Sequence, residues 1–209
     1  MMMLAGADVH GIILAGGQSR RMGTDKALLP VGEKVLLRII ADGMRLAGIG
    51  GTIIVAAGDG EREETYQQAL IGVRGPIEFV RDTYVDSGPL AGLHASLSEI
   101  PGQAYAFVMA CDMPVLSESL LGRMLASASF SDDCPDVIRT TLNQPFHALY
   151  HTGVVNRLQQ LLEQRDLRVM SFLNGLSARS LSPTPEEASA FINLNTPELY
   201  AQYIAQHRL

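Results

Sequence analysis

LAGGQSRRMGTDKALLP, Leu14–Pro30, decides how this chain is read. It continues the run GIILAG, Gly11–Gly16, which is short, apolar, β-branched and bounded by glycine, the pattern of a buried strand. That strand runs into glycines, two arginines, a further glycine, an aspartate and a lysine before the chain turns apolar again. Working outward, Lys34–Gly48 carries helical spacing at Leu36, Ile40 and Met44, with Gly48 as its stop. Thr52–Gly58 predicts a second strand, Glu61–Gly72 a helix with acids in its first turn, and Ile77–Asp82 a third strand. Gly88–Ile100 predicts a helix with Pro89 in its first turn, Ala104–Asp112 a fourth strand, and Ser117–Ser127 a helix opened by a serine cap. Strand and helix alternate four times, and the strands are apolar on both faces. The expected fold is therefore α/β, a three-layer, doubly wound, mostly parallel sheet.

The second half is less regular. DVIRT and FHALYH flank TLNQP and predict a small antiparallel excursion. Gly153–Gln164 and Leu167–Gly175 read as helices, Ala190–Asn195 as a late strand, and the last helix starts with Thr196 as cap and Pro197 at its first position. The chain of 209 residues, 47% hydrophobic and 18% charged, is expected to form one domain with a substantial core. Two cysteines, Cys111 and Cys134, make neither a metal-ligand spacing nor a disulfide framework, which points to a cytoplasmic setting. MMMLAGADVH lacks a basic start and is not read as a signal peptide. No apolar run reaches the roughly 18–20 residues of a membrane span.

The net charge is −6, yet residues 1–50 carry six Lys/Arg against four Asp/Glu, and the rest ten against eighteen. A local positive spot on an acidic chain suits a small anion better than nucleic acid. In a parallel sheet ligands bind where strands deliver their carboxyl ends, and Leu14–Lys26 lies at such an end. Glycines there let backbone N–H groups approach an anion, and Arg20, Arg21 and Lys26 add charge suited to a polyphosphate. The P-loop pattern is absent, because five residues separate Gly17 from Gly23 and the lysine comes three later; G-x-G-x-x-G is absent because Gly16 and Gly17 are adjacent. The alternative is an ordinary strand-to-helix loop with solvated arginines. Asp112, at the end of the fourth strand, is either a hard oxygen ligand of the kind Mg²⁺ takes or a loop-capping aspartate. SGPLAG, Ser87–Gly92, carries a loop into a helix N-terminus, either a seat for an anionic group or an N-capped core helix.

The Leu14–Pro30 stretch resembles the signature of nucleotidyltransferases that activate a phosphorylated small molecule with a nucleoside triphosphate. LAGG, the paired arginines and DKALLP are most similar to the molybdenum cofactor guanylyltransferases, the MobA-like nucleotidyltransferase family. The resemblance continues in DTYVDSGPLAGLHASL, CDMP, RVMSFL and NLNTPEL. It implies a Rossmann-like nucleotidyltransferase domain over 1–209, with a nucleotide-binding half at about 9–115 and an acceptor-binding half at about 116–209. It implies transfer of GMP from GTP to the terminal phosphate of molybdopterin, with Mg²⁺ on Asp112 and Lys26, Arg20 and Asp112 as catalytic groups. The nucleotide would meet Leu14, Ala15, Gly16, Gly17, Arg20, Gly23, Lys26, Asp82 and Asp112, with Asp82 on the ribose or guanine side unless it is a turn residue.

The acceptor would meet Gly88, Pro89, Leu90 and Gly92, His147, Arg168 and Asn195. For His147 and Phe146 core or hairpin packing is the competing reading; for Asn195 it is a turn ahead of Thr196. Family members often carry an asparagine after the second strand, where this chain has Ala56 and Ala57. Backbone groups or Asp59 would then read guanine, and a molybdopterin cytidylyltransferase or another small-molecule nucleotidyltransferase is the alternative enzyme. A non-catalytic nucleotide-binding or partner-docking protein is the alternative of another class. The expected partners are GTP and molybdopterin, with transient contact to molybdopterin-loading proteins or molybdoenzyme chaperones and neither nucleic acid nor membrane.

Overall fold

The structure, a computed structural model, describes residues 9–16, 25–58, 60–128, 134–142 and 144–206. The opening strand is β1 (Val9–Leu14), followed after the loop by a 3₁₀ turn at Lys26–Leu28 and a two-stranded ribbon, β2 (Pro30–Val31) and β3 (Lys34–Val35). The α/β alternation then runs α1 (Leu36–Leu46), β4 (Ile53–Ala56), α2 (Glu63–Ala69), β5 (Ile77–Val80), α3 (Pro89–Ser98), β6 (Tyr105–Ala110) and α4 (Glu118–Ser127). The second half adds β7 (Val137–Thr140), β8 (His147–His151), α5 (Val155–Glu163), α6 (Val169–Leu173), β9 (Ala178–Leu181), α7 (Pro185–Ala188) and α8 (Pro197–Gln206).

One seven-stranded sheet has the order β5-β4-β1-β6-β8-β7-β9. β5, β4, β1 and β6 are parallel; β8 is antiparallel to both β6 and β7, and β9 joins β7 in parallel. The expected doubly wound sheet with an antiparallel excursion is what forms. Alternation along the strands sorts the core into two layers. On one face Val9, Ile13 and Phe107 pack with Leu37, Ile40 and Met44 of α1, Tyr66 of α2, and Leu120 and Met124 of α4. On the other, Ile12, Ala106 and Val108 pack with Leu90, Leu93 and Leu97 of α3, Leu158 of α5 and Phe172 of α6. A fully buried Leu or Ile contributes roughly 1.5–3 kcal/mol, so these two layers are what hold the sheet's edge in place.

Three local expectations are corrected. The first helix starts at Leu36 rather than Lys34, because Lys34 and Val35 pair with Pro30 and Val31 in the ribbon. Ala190–Asn195 is not a strand: Ser189–Phe191 is a 3₁₀ turn continuing from α7, whose start is fixed by a capping box between Thr184 and Glu187. The edge of β7 is filled instead by β9, a strand with no expected counterpart.

His147 lies in the core at 1% exposure, its ring edge-on to Phe107 and Phe191. Burial without a compensating charge holds its pKa down at about 4, from an ordinary 6.5. The unfolded chain therefore binds a proton between those values that the folded chain refuses. Stability contributed by neutral His147 is complete above pH 6.5 and is lost as pH falls towards 4, by up to about 3 kcal/mol. Burial pulls His10, His94 and His151 in the same direction. Urea unfolding across pH 4–7 should show a fall in stability that is shallower in His147→Leu; an identical fall would contradict the assignment.

Candidate functional site

The carboxyl ends of β1, β4, β5 and β6 lie along one edge of the sheet. From β1 the chain first builds outward through β4 and β5, then returns to add β6 on the opposite side of β1. The order reverses between β1 and β6, which is where open α/β sheets hold ligands. Leu14 and Ala110 are register partners at that point, and Cys111 N–H continues the ladder to the Leu14 carbonyl. The next residue, Asp112, therefore projects from the rim.

Three side chains from distant parts of the sequence meet there. Lys26 Nζ lies 3.8 Å from Asp112 Oδ2 and donates to Asn195 Oδ1 at 2.5 Å. Asn195 is carried to this place by its neighbour, because Leu194 N–H donates to the Asp112 carbonyl at 2.7 Å. Thr196, not Asn195, caps α8, accepting from Leu199 N–H at 3.3 Å. Lys26 and Asp112 keep about a fifth to a quarter of their side-chain surface exposed, so the pair faces solvent and a ligand can reach it. The donor set is one carboxylate and one amide oxygen. These are hard oxygens that suit a small dication which keeps waters or phosphate oxygens in its remaining positions. Among the described residues no group of three His, Cys, Asp or Glu side chains gathers to hold a metal unaided.

The start of the glycine-rich loop is pinned to β4: Ala15 and Gly16 N–H both donate to the Ala56 carbonyl. Gly16 approaches Gly58 so closely that a Cβ would fall 2.5 Å from the Gly58 nitrogen and 2.7 Å from its Cα, and Gly58 itself has φ +69°. These are backbone atoms and cannot swing aside. Gly16→Ala is expected to lower the unfolding free energy by about 1–3 kcal/mol, read by urea unfolding. A variant as stable as the parent would show that the two loops have room to part.

The loop's far end is held differently. Asp25 Oδ1 accepts from Ala27 N–H at 3.0 Å, capping the 3₁₀ turn that carries Lys26. Asp25 Oδ2 accepts from the Tyr66 hydroxyl at 2.7 Å and lies 3.2 Å from Arg62 Nη1. Burial, with Asp25 and Asp112 behind it, pushes the Cys111 thiol up, so it stays protonated as a packing residue beside the site.

The other expected site residues fall into three groups. Gly17, Arg20 and Gly23, with Arg21 and Asp59, lie outside the described residues. Asp82 sits beyond β5, its N–H on the Gly58 carbonyl and its Oδ1 3.5 Å from where a Cβ on Gly92 would stand. Gly88 and Pro89 open α3 at the rim, Gly88 at φ +67° and ψ −159°, a conformation only glycine adopts comfortably. Leu90 and Gly92 point inward: Leu90 is fully buried, and Gly92 lets α3 press on Ala56 and Leu14. His147, enclosed by aromatic rings, presents no face to an acceptor. Arg168 is an exposed side chain in a two-bond pair with Asp166, at 2.8 Å each, ahead of α6. Sequence reading gave no role to Asp25, Arg62 or Tyr66. An aspartate directly before the Lys-Ala-Leu turn is a cap signal, whereas nothing local announces the tyrosine and arginine from α2.

Among the described residues no helix is long and apolar enough to cross a membrane. The MobA-like NTP transferase domain matches residues 11–179. A probable molybdenum cofactor guanylyltransferase of Pelotomaculum thermopropionicum is 32% identical over 90% of this chain and 87% of its own. The molybdenum cofactor guanylyltransferase of Vibrio cholerae is 31% identical over 96% of this chain and 94% of its own. Among solved structures, molybdopterin-guanine dinucleotide biosynthesis protein A from Archaeoglobus fulgidus superposes with a TM-score of 0.73 at 19% identity, over 94% of this chain and 97% of its own.

Proposed function

The chain belongs to the MobA-like NTP transferase family, and on that premise we propose that it transfers GMP from GTP to the terminal phosphate of molybdopterin, giving the guanine dinucleotide and pyrophosphate. The observation that carries the proposal is the meeting of Lys26, Asp112 and Asn195 at the switch point. The names of the relatives supply the nucleotide and the acceptor. An oxygen of the acceptor phosphate attacks the α-phosphorus of GTP in line; the bond from that phosphorus to the β-bridging oxygen breaks, and pyrophosphate leaves with the electron pair. The nucleophile is already ionised, so no strong base is needed and the work is positioning and charge neutralisation. Lys26 is assigned to the charge that grows on the phosphate oxygens.

A divalent cation, taken as Mg²⁺, would be held by Asp112 with the Asn195 amide oxygen beside it, and when bound it neutralises phosphate charge. Gly17, Arg20 and Gly23 are assigned to the triphosphate, Asp82 to the nucleoside side, and Gly88, Pro89 and Arg168 to the acceptor. The reaction is placed in the cytoplasm, with hand-over of the product to molybdopterin-loading proteins or molybdoenzyme chaperones.

The test is a panel of GTP, CTP, ATP and UTP with Mg²⁺, with and without molybdopterin, read by pyrophosphate release. Release that needs molybdopterin and is fastest with GTP is the expected result. A preference for CTP would replace the guanylyl assignment by a cytidylyl one, and no release with any nucleotide would end it.

A further inference from the structure

We propose that Tyr66 and Arg62 are positioning residues for the transfer: from the start of α2 they grip Asp25, and through it they set the short turn that delivers Lys26. The proposal rests on the reading of Lys26 as a group that meets the triphosphate.

A three-residue 3₁₀ turn is too short to hold its own geometry. Its direction comes from Asp25, and both oxygens of that carboxylate are committed. Oδ1 caps the turn at Ala27 N–H, while Oδ2 takes the Tyr66 hydroxyl at 2.7 Å and the Arg62 guanidinium at 3.2 Å. A carboxylate held at both oxygens resists rotation, and through Ala27 N–H it holds the backbone of the turn that follows. Lys26 is the next residue. Its flexible stem still has to find Asp112 and Asn195, and the anchoring of its backbone limits how far it searches.

Tyr66 is fully buried in the layer beneath α1 and cannot drift. Its hydroxyl also lies 3.3 Å from the carbonyl oxygen of Ala15. One buried group thus stands between the residue where the phosphate loop begins and the residue where it ends. Burial first, and then Asp25, push the Tyr66 hydroxyl well above its usual range, so it remains a donor throughout the working pH range. Arg62 is about one-third exposed and is the weaker half of the grip.

The chain has only two lysines, Lys26 and Lys34, so protein labelled with ¹³Cε-lysine gives two side-chain signals, assigned by Lys34→Arg. Tyr66→Phe keeps the ring in the core and removes one hydroxyl. It should shift or broaden the Lys26 signal and leave Lys34 in place. With MgGTP and molybdopterin saturating, it should lower kcat about tenfold, the scale of one hydrogen bond to a carboxylate, with KM for the acceptor unchanged within about twofold. Arg62→Gln should act in the same direction by about threefold, and because its side chain is at the surface it decides the matter if Tyr66→Phe does not fold. A Lys26 signal unmoved in the folded variants, or a kcat at the parent level, overturns the proposal. A Lys26 signal that moves in a protein whose parent transfers no nucleotide would end the transferase reading and leave the grip on Asp25 standing.

Discussion

Asp112→Asn should lower nucleotidyl transfer at least about a hundredfold while leaving the fold intact, the scale of losing one preorganised charge-stabilising group. The substitution keeps the shape of the side chain and removes its charge. The backbone contact from Leu194 to the Asp112 carbonyl survives, so the segment bearing Asn195 stays in place. What changes is electrostatic: Lys26 loses its anionic neighbour at 3.8 Å. A partly exposed pair of this kind contributes only about 0–1 kcal/mol to stability, so urea unfolding should scarcely move while the rate collapses. The measurement is pyrophosphate release under saturating GTP and molybdopterin. A variant that keeps the parent rate would remove Asp112 from the machinery.

Lys26→Ala should cost a similar factor, and Lys26→Arg should recover little of it. Lysine places a compact charge at the end of a thin stem, whereas arginine spreads its charge over a planar fork. The space beside Asp112 and Asn195 is occupied by one nitrogen, at 3.8 Å from the first and 2.5 Å from the second. A guanidinium carries its nitrogens on a longer, planar group and meets those two oxygens in a different geometry. If Lys26 acts mainly as phosphate charge develops, kcat falls more than the affinity for GTP, and a nucleotide-binding titration run beside the rate assay separates the two. Parent-like turnover in Lys26→Ala would refute the role.

Much of the scaffold could be read before any coordinates. β1, β4 and β6 are buried on both faces, and uninterrupted apolar runs such as IIVA and YAFVMA announce that directly. α1 announced itself by spacing and α8 by Thr196 and Pro197. β9 did not, because an outer strand reading Ala-Arg-Ser-Leu, half out in water, carries no apolar run to notice. Ala190–Asn195 misled for the opposite reason: Ala190 and Leu194 are buried, but they pack as parts of a turn and a strap rather than a strand. At the rim, Asp112 was legible because a carboxylate ending a buried strand is conspicuous. Asn195 came only through family resemblance, since nothing local says that residue 195 will meet residue 26. Tyr66 was illegible as anything but core: its ring fits the helix pattern, and the partner of its hydroxyl lies 41 positions earlier.

The hydrogen bond between Lys26 and Asn195 joins positions 169 apart. During synthesis the early strands and helices can begin to assemble as they leave the ribosome, since chains fold progressively from the amino end. The rim they form still lacks its amide oxygen until residue 195 has emerged. The contact that sets Lys26 beside Asn195 therefore forms only after residue 195 has been made and its segment has crossed back over the start of the chain, so this corner of the rim closes in one late step.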